Sequence, residues 1–403
     1  MSEKAGSILG GILLTVGSCV GAGMLGLPIV TGLCGYYPSI LMFLIAWGYM
    51  TTTALLLVEV NSWHESHVNI LTMAHTCLGK TAKAICWVFY LFLFYSLLVA
   101  YISGSGNLLS TLSSQYTRYQ IPPSIGALFF VLFFGWLIYL GTRKVDLCNR
   151  LLMLIKIASF VALVILGSKF VEKQNLLHSN LSKMVLPLPI LITSFGFHNM
   201  IPSLNAYMKG DTKRVRISIF GGSLFTLVIY IVWQTIALGI IPLEGSNGIL
   251  ESLRVGKEAA QSIGAILQSS KVALFAQMLG FFAILTSFLA QALSVTHFLS
   301  DGFNIRRKTK ENIGMCLLAL IPPLILSFLF PDLFFKALGF AGGICAVILF
   351  GVMPVLMVIR GRYILKKQSP YKIKGGLPLL LLVLVFSICI FLFQMTDMLK
   401  SNS

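Results

Sequence analysis

The chain has 403 residues, 57% of them hydrophobic and only 11% charged, with a formal net charge of +17. That composition fits an integral membrane protein and excludes a soluble catalytic domain, which needs a polar block of roughly 50 residues or more. Eight cysteines show no Cys-x-x-Cys and no paired spacing, so they read as small apolar residues rather than a disulfide framework. Residues 1–5 are too short, and the apolar run behind them too long, for a cleaved signal peptide.

Eleven apolar segments follow, at about 6–34, 37–60, 83–111, 122–141, 147–168, 184–208, 217–242, 272–299, 312–330, 333–359 and 376–397. They predict an all-α membrane protein of eleven spans, a bilayer core taking about 20 residues of helix. The longest polar gaps are 61–83 and 242–271. When connections alternate between the two sides, one side holds 20 of the 30 Lys and Arg residues and the other 9, with Lys156 inside a span. The positive-inside rule puts the first side in the cytoplasm, so the N-terminus is inside and the C-terminus outside. The basic clusters are topology signals, and no nucleic-acid partner is expected.

The first segment runs for 29 residues and contains Gly21, Gly23, Gly26 and Pro28. Glycine weakens a helix and proline removes a backbone donor, so this span reads as broken. A break frees N–H groups on one half-helix and C=O groups on the other, which suit a carboxylate and a cation. Residues 17–26 are therefore either half of a solute site or a packing face of small residues. The same glycines spell G-x-G-x-x-G, but a dinucleotide fingerprint needs a strand before it, which a long apolar run does not offer.

Glu59 closes the second segment and is the carboxylate nearest membrane depth. It either accepts N–H groups freed by a helix break or sits in water at the cytoplasmic end. His64-x-x-His67 in the following loop reads as solvated, having no Cys partner nearby. Lys156 lies mid-way through segment five, where a cation costs several kcal/mol (roughly 2.5–3.5) unless paired or hydrated. It either reaches the interface, or faces the carbonyls of the broken first helix as a structural cation or proton carrier.

Segment six is interrupted in the same way, over 193–203, with Gly196, His198, Asn199 and Pro202 in sequence. Segments one and six are five spans apart, an odd number, which predicts an inverted five-plus-five repeat around a midplane site. The repeats span about 6–168 and 184–359, with an extra helix at about 376–397, all in one transmembrane domain. This pairing favours the solute-site reading of both breaks. His198 lies inside the second break, either hydrogen-bonding a substrate or exchanging a proton, or packed as a satisfied buried histidine. Thr286 and Ser287 in segment eight either bond back to their own helix or ligate a small cation with backbone oxygens. Phe195, Phe197, Tyr95 and Tyr101 are candidate pocket aromatics.

Several separated motifs resemble the hydroxy/aromatic amino acid permease family, most closely its bacterial tyrosine- and tryptophan-specific transport proteins. These are Gly21-Ala22-Gly23-Met24-Leu25 with Pro28, Leu55 to Val60, Ala100 to Gly106, Val145 to Arg150, and Thr193 to His198 with Pro202-Ser203. The resemblance covers about residues 6–360. It implies a leucine-transporter-like fold in the bacterial cytoplasmic membrane, and proton-driven uptake of an aromatic amino acid. It implies that Gly21, Ala22 and Gly23 hold the substrate carboxylate. The backbone of Phe195 and Gly196, beside Ser194, takes the ammonium, and Phe197 covers the ring or gates the pocket. Lys156 resembles a lysine that fills the second sodium position in some proton-coupled relatives. Gly17, Val20, Ala283, Thr286 and Ser287 resemble that sodium site's own ligands.

The expected function is proton-coupled symport of an aromatic amino acid, tyrosine ahead of tryptophan, with no cofactor. The alternatives are sodium coupling, with the ion at Thr286 and Ser287, or a broader neutral amino acid carrier. From another class, a channel or a non-transporting sensor keeps the fold. No nucleophile–base or metal set points to an enzyme.

Overall fold

The computed structural model describes residues 6–401 apart from 65–67, 117, 118, 120, 268–270, 304, 306–310, 331, 332 and 370. His67 and the topology residues Lys4, Arg118, Arg306, Arg307, Lys308 and Lys310 lie outside the described residues. In chain order, α1 (Ile8–Cys19) and α2 (Ala22–Gly32) form one span bent by 58°. Then come α3 (Tyr36–Asn61), α4 (Ile70–Leu78), α5 (Lys80–Tyr116), α6 (Pro123–Tyr139), α7 (Thr142–Gly167) and the single turn α8 (Lys173–Leu176). The sixth span is split into α9 (Leu188–Ser194) and α10 (Ile201–Tyr207). After α11 (Thr212–Ile240) come the short α12 (Ile249–Arg254) and α13 (Ala259–Ile266), then α14 (Lys271–Gly302) and α15 (Ile313–Leu329). Helix α16 (Leu333–Phe340) runs through π-wound turns into α17 (Met353–Ile359), making 333–364 one span, and α18 (Gly376–Ser401) ends the chain.

Among the described residues seven helices are long and apolar enough to cross a membrane, or eight with α1 and α2 taken as one bent span; the shorter α6 and α15 and the pair α9 and α10 occupy the other three of the eleven segments expected from the sequence. Three helices, α4, α12 and α13, fall in the two polar gaps, where no long apolar run announces them. Helix α7 begins at Thr142, earlier than its apolar run. Gly141 precedes it at φ +98°, a left-handed conformation that glycine adopts without penalty, so the polar stretch after it starts the helix.

Which helices are central follows from their buried share. In the most apolar stretch of 333–364, 78% of residues are buried, and in α14 67%, against 28% in α7 and 22% in α18. On α7 an outward stripe of Leu147, Leu151 and Leu154 is exposed, as a lipid-facing surface requires. The opposite stripe of Leu152, Lys156, Ser159 and Leu163, at helical spacing, is buried. Helices α1 and α11 approach closely where Gly222 faces Thr15: a Cβ there would stand 2.9 Å from the Thr15 Cγ2. Small residues at such a crossing let backbones pack without lipid between them.

The first break sits at Val20-Gly21, and Pro28 is not part of it. Pro28 lies inside α2, where its missing N–H leaves the Met24 carbonyl without its helical partner. The Trp233 indole N–H donates to that carbonyl at 2.9 Å, so the helix continues through the proline.

Candidate functional site

The two breaks are held by side chains from three other helices. At the end of α1, the Val20 carbonyl accepts from Lys156 Nζ at 2.7 Å, and the same Nζ donates to Thr286 Oγ1 at 3.2 Å. Thr286 Oγ1 in turn donates to the Ala283 carbonyl at 3.2 Å. An ammonium at a helix C-terminus faces unsatisfied carbonyls, the favourable end of the helix dipole for a cation. At the start of α2, the Ala22 N–H donates to Ser287 Oγ at 2.9 Å. Gly23, the second residue of α2, has no acceptor for its N–H within that helix. Tyr230 Oη lies 2.8 Å from the Cys19 carbonyl and 2.7 Å from the Ser194 carbonyl, so one buried hydroxyl bridges the first break to the second.

Between the breaks lies a cavity of about 90 Å³. That is well below the roughly 300 Å³ at the lower end of ligand pockets. Of the residues singled out in the sequence, Gly21, Ala22, Gly23, Ser194, Gly196, Tyr101 and Ser287 line it. Lys156, Val20, Ala283 and Thr286 form the adjoining cluster behind α1. Gly17 faces α7, where a Cβ would meet Met153 Cε at 3.4 Å, and does not join the cavity lining.

Three aromatic-ring expectations and one carboxylate are corrected. The Phe195 ring packs on Tyr230 at 5.0 Å between centroids instead of lining the cavity, and its carbonyl accepts from the Phe197 N–H at 3.0 Å. Phe197 is buried against His198 and is not among the residues that line the cavity. His198 stands behind the cavity wall, stacked on Phe350 at 4.6 Å, with Nε2 2.9 Å from Thr53 Oγ1. The irregular stretch 195–197 and the 3-10 turn His198–Met200 turn these side chains into the core instead of toward the cavity. Glu59 meets neither a helix break nor water. It is fully buried, takes both Arg362 nitrogens, with Nε donating at 2.6 Å, and accepts the Ile373 N–H at 3.1 Å. In the loop beyond it, His64 is pinned to the Val60 carbonyl and Thr76 rather than freely solvated.

Sequence reasoning placed Asn199 in the second break without giving it a role, and missed Gln291, which lines the cavity with it, and Tyr230, which braces it. Gln291 had a signal, being one turn beyond Ser287 on the same face of an apolar helix. Tyr230 had none. A larger hollow of about 740 Å³ lies between α5, α9, α16 and α18; Tyr95 lines it, and the predicted site residues do not.

Two spans broken around a small polar cavity, within a helical bundle that faces lipid, define a multi-pass membrane transporter. The fold agrees with the solved structure of MhsT in complex with L-phenylalanine, with a TM-score of 0.60 at 16% identity over 96% of this chain and 100% of that one. This is the leucine-transporter-like fold. Residues 4–394 match the tryptophan/tyrosine permease family. Among curated relatives, the tyrosine-specific transport system 1 of Haemophilus influenzae is 34% identical over 95% of both chains. A tryptophan-specific transport protein of the same organism is 30% identical over 96% of this chain and 95% of its own. The chain belongs to the tryptophan/tyrosine permease family, and is a permease rather than an enzyme.

Proposed function

We propose that the protein imports an aromatic amino acid, tyrosine ahead of tryptophan, by proton symport across the bacterial cytoplasmic membrane. The N-terminus faces the cytoplasm and the C-terminus the outside, as the distribution of Lys and Arg favours. Alternating access then works between repeats 6–168 and 184–359, around the breaks at 20–21 and 195–200. The substrate carboxylate meets the N-terminus of α2 at Gly23, beside Ser287. The observation that carries the proton reading is the hydrogen bond from Lys156 Nζ to the Val20 carbonyl at 2.7 Å. Charged, the ammonium ties the end of α1 to α7 and α14. Neutral, it loses a donor and most of its attraction for the carbonyl, and α1 is released. Lys156 uses Val20 and Thr286, the oxygens a sodium ion would need, and two cations do not share so small a site comfortably. The tyrosine preference rests on the relative at 34% identity whose name carries tyrosine.

The test is uptake of labelled tyrosine into proteoliposomes under an imposed pH gradient without sodium, with tryptophan, phenylalanine and leucine as competitors. Accumulation abolished by a protonophore supports the reading. Accumulation only under a sodium gradient replaces it with sodium coupling at Thr286 and Ser287. Downhill flux that never accumulates supports a channel.

A further inference from the structure

Gln291 lines the cavity, and its Nε2 is buried with no hydrogen-bond partner. Other buried side-chain atoms also lack partners, among them groups on Asn61, Asn107, Gln234 and Gln261, but among the described residues only Gln291 combines that state with a place on the cavity wall. An amide N–H shut away from water is costly unless something supplies an acceptor. Asn199, the other amide at the cavity, is exposed and meets solvent.

The position along the cavity is set by helix geometry. Gly280 of α14 faces Leu108 of α5, and Gly302 faces Trp87, so the two helices run antiparallel. Ser287 then falls about level with Tyr101, and Gln291 about level with Leu97. Ser287 holds the Ala22 N–H at the end where α2 begins. Gln291 is one turn away, about 6 Å along the same face. Leu93 and Leu97 from α5 and Ala346 and Phe350 from the 333–364 span add apolar side chains to the cavity wall. A polar head at α2, apolar side chains on the wall, and one unpaired amide a turn away match a ring that carries a polar atom.

We propose that Gln291 reads the ring, its amide hydrogen-bonding the polar atom that separates tyrosine and tryptophan from phenylalanine. This rests on the aromatic-substrate reading above. The amide has both a donor and an acceptor. A phenol hydroxyl accepts from Nε2 and also donates to Oε1. An indole N–H donates to Oε1 only, and a bare phenyl does neither. The expected order is tyrosine, then tryptophan, then phenylalanine. A site built to hydrogen-bond a hydroxyl rejects the analogue without it, because the site's own polar group is left unpaired.

The experiment compares uptake of tyrosine and phenylalanine by the wild type and by Gln291→Met, which keeps the length and removes both hydrogen-bonding groups. The tyrosine-to-phenylalanine ratio of uptake efficiency is expected to fall by about tenfold or more. An unchanged ratio in a transporting variant overturns the inference alone. Should the variant not transport, binding to the wild type decides: tyrosine is expected to raise its melting temperature more than phenylalanine at equal concentration, and equal shifts overturn the proposal. Absence of any aromatic uptake by the wild type overturns the functional reading itself, and this inference with it.

Discussion

The Tyr230 hydroxyl stands 2.7 Å from the Ser194 carbonyl, and only 2.8 Å from that of Cys19 on the other broken span. One residue of α11 thus fastens both interruptions, and Trp233, three residues on, satisfies the carbonyl that Pro28 leaves open. The Cys19 carbonyl keeps the Gly21 N–H at 2.8 Å, so removing the hydroxyl in Tyr230→Phe takes from the Ser194 carbonyl its side-chain donor, at a cost of about 1–3 kcal/mol. The variant is expected to fold, melt lower than the wild type and transport more slowly. Thermal unfolding in detergent and initial uptake rates check this; wild-type values for both would reduce Tyr230 to packing.

The pair of Glu59 and Arg362 joins the end of α3 to the turns after α17, its side chains 0% and 8% exposed. Breaking one partner leaves a buried charge alone, so Glu59→Gln is expected to cost about 3–5 kcal/mol. Replacing both, in Glu59→Leu with Arg362→Met, is expected to recover much of that loss. A double-mutant cycle on melting temperature checks the order; a double variant less stable than either single one contradicts it.

Glu258 caps α13, outside the spans, its carboxylate accepting the Ala260 and Gln261 N–H groups at 2.6 and 2.9 Å. Burial raises its pKa from an ordinary 4.5 to about 8, against the lowering effect of those two bonds. The folded state therefore binds this proton more tightly than the unfolded one. The stabilisation is fully present below about pH 4.5 and is lost as pH rises through about 8. Melting temperature is expected to fall between pH 5 and pH 8 more steeply in the wild type than in Glu258→Gln. Parallel curves for the two proteins would contradict this.

Gly23 packs on the second break: a Cβ would stand 3.0 Å from Ser194 Oγ and 3.5 Å from its Cα. Gly23→Leu is expected to abolish substrate-induced thermal stabilisation while leaving the protein in the membrane. Retained stabilisation by tyrosine would make the first break a packing feature.

The breaks were legible because glycine and proline interrupt an apolar run with local effects. Gly21 and the Gly196-to-Pro202 stretch mark where the helices stop. Pro28 was misread because its cost depends on a partner at Trp233, far away in sequence. Lys156 stood out because a cation within a span is rare, and the broken first helix offered carbonyls for it; Val20 and Thr286 in particular came from the resemblance. What failed was side-chain direction. Phe197 and His198 sit where an irregular stretch meets a 3-10 turn, whose dihedral angles the sequence does not announce, and they point into the core. Glu59 was recognised as unusual, but its partner lies 303 residues away. Tyr230 looks like any aromatic on a buried helix until its hydroxyl is seen between two carbonyls.

The most direct test is proton movement with substrate. Proteoliposomes carry a trapped pH dye, without sodium, and tyrosine is added outside. Wild-type protein is expected to acidify the lumen as tyrosine enters, and Lys156→Ala to give no acidification. Tyrosine entry without acidification in the wild type, or acidification by Lys156→Ala at the wild-type rate, would contradict the account.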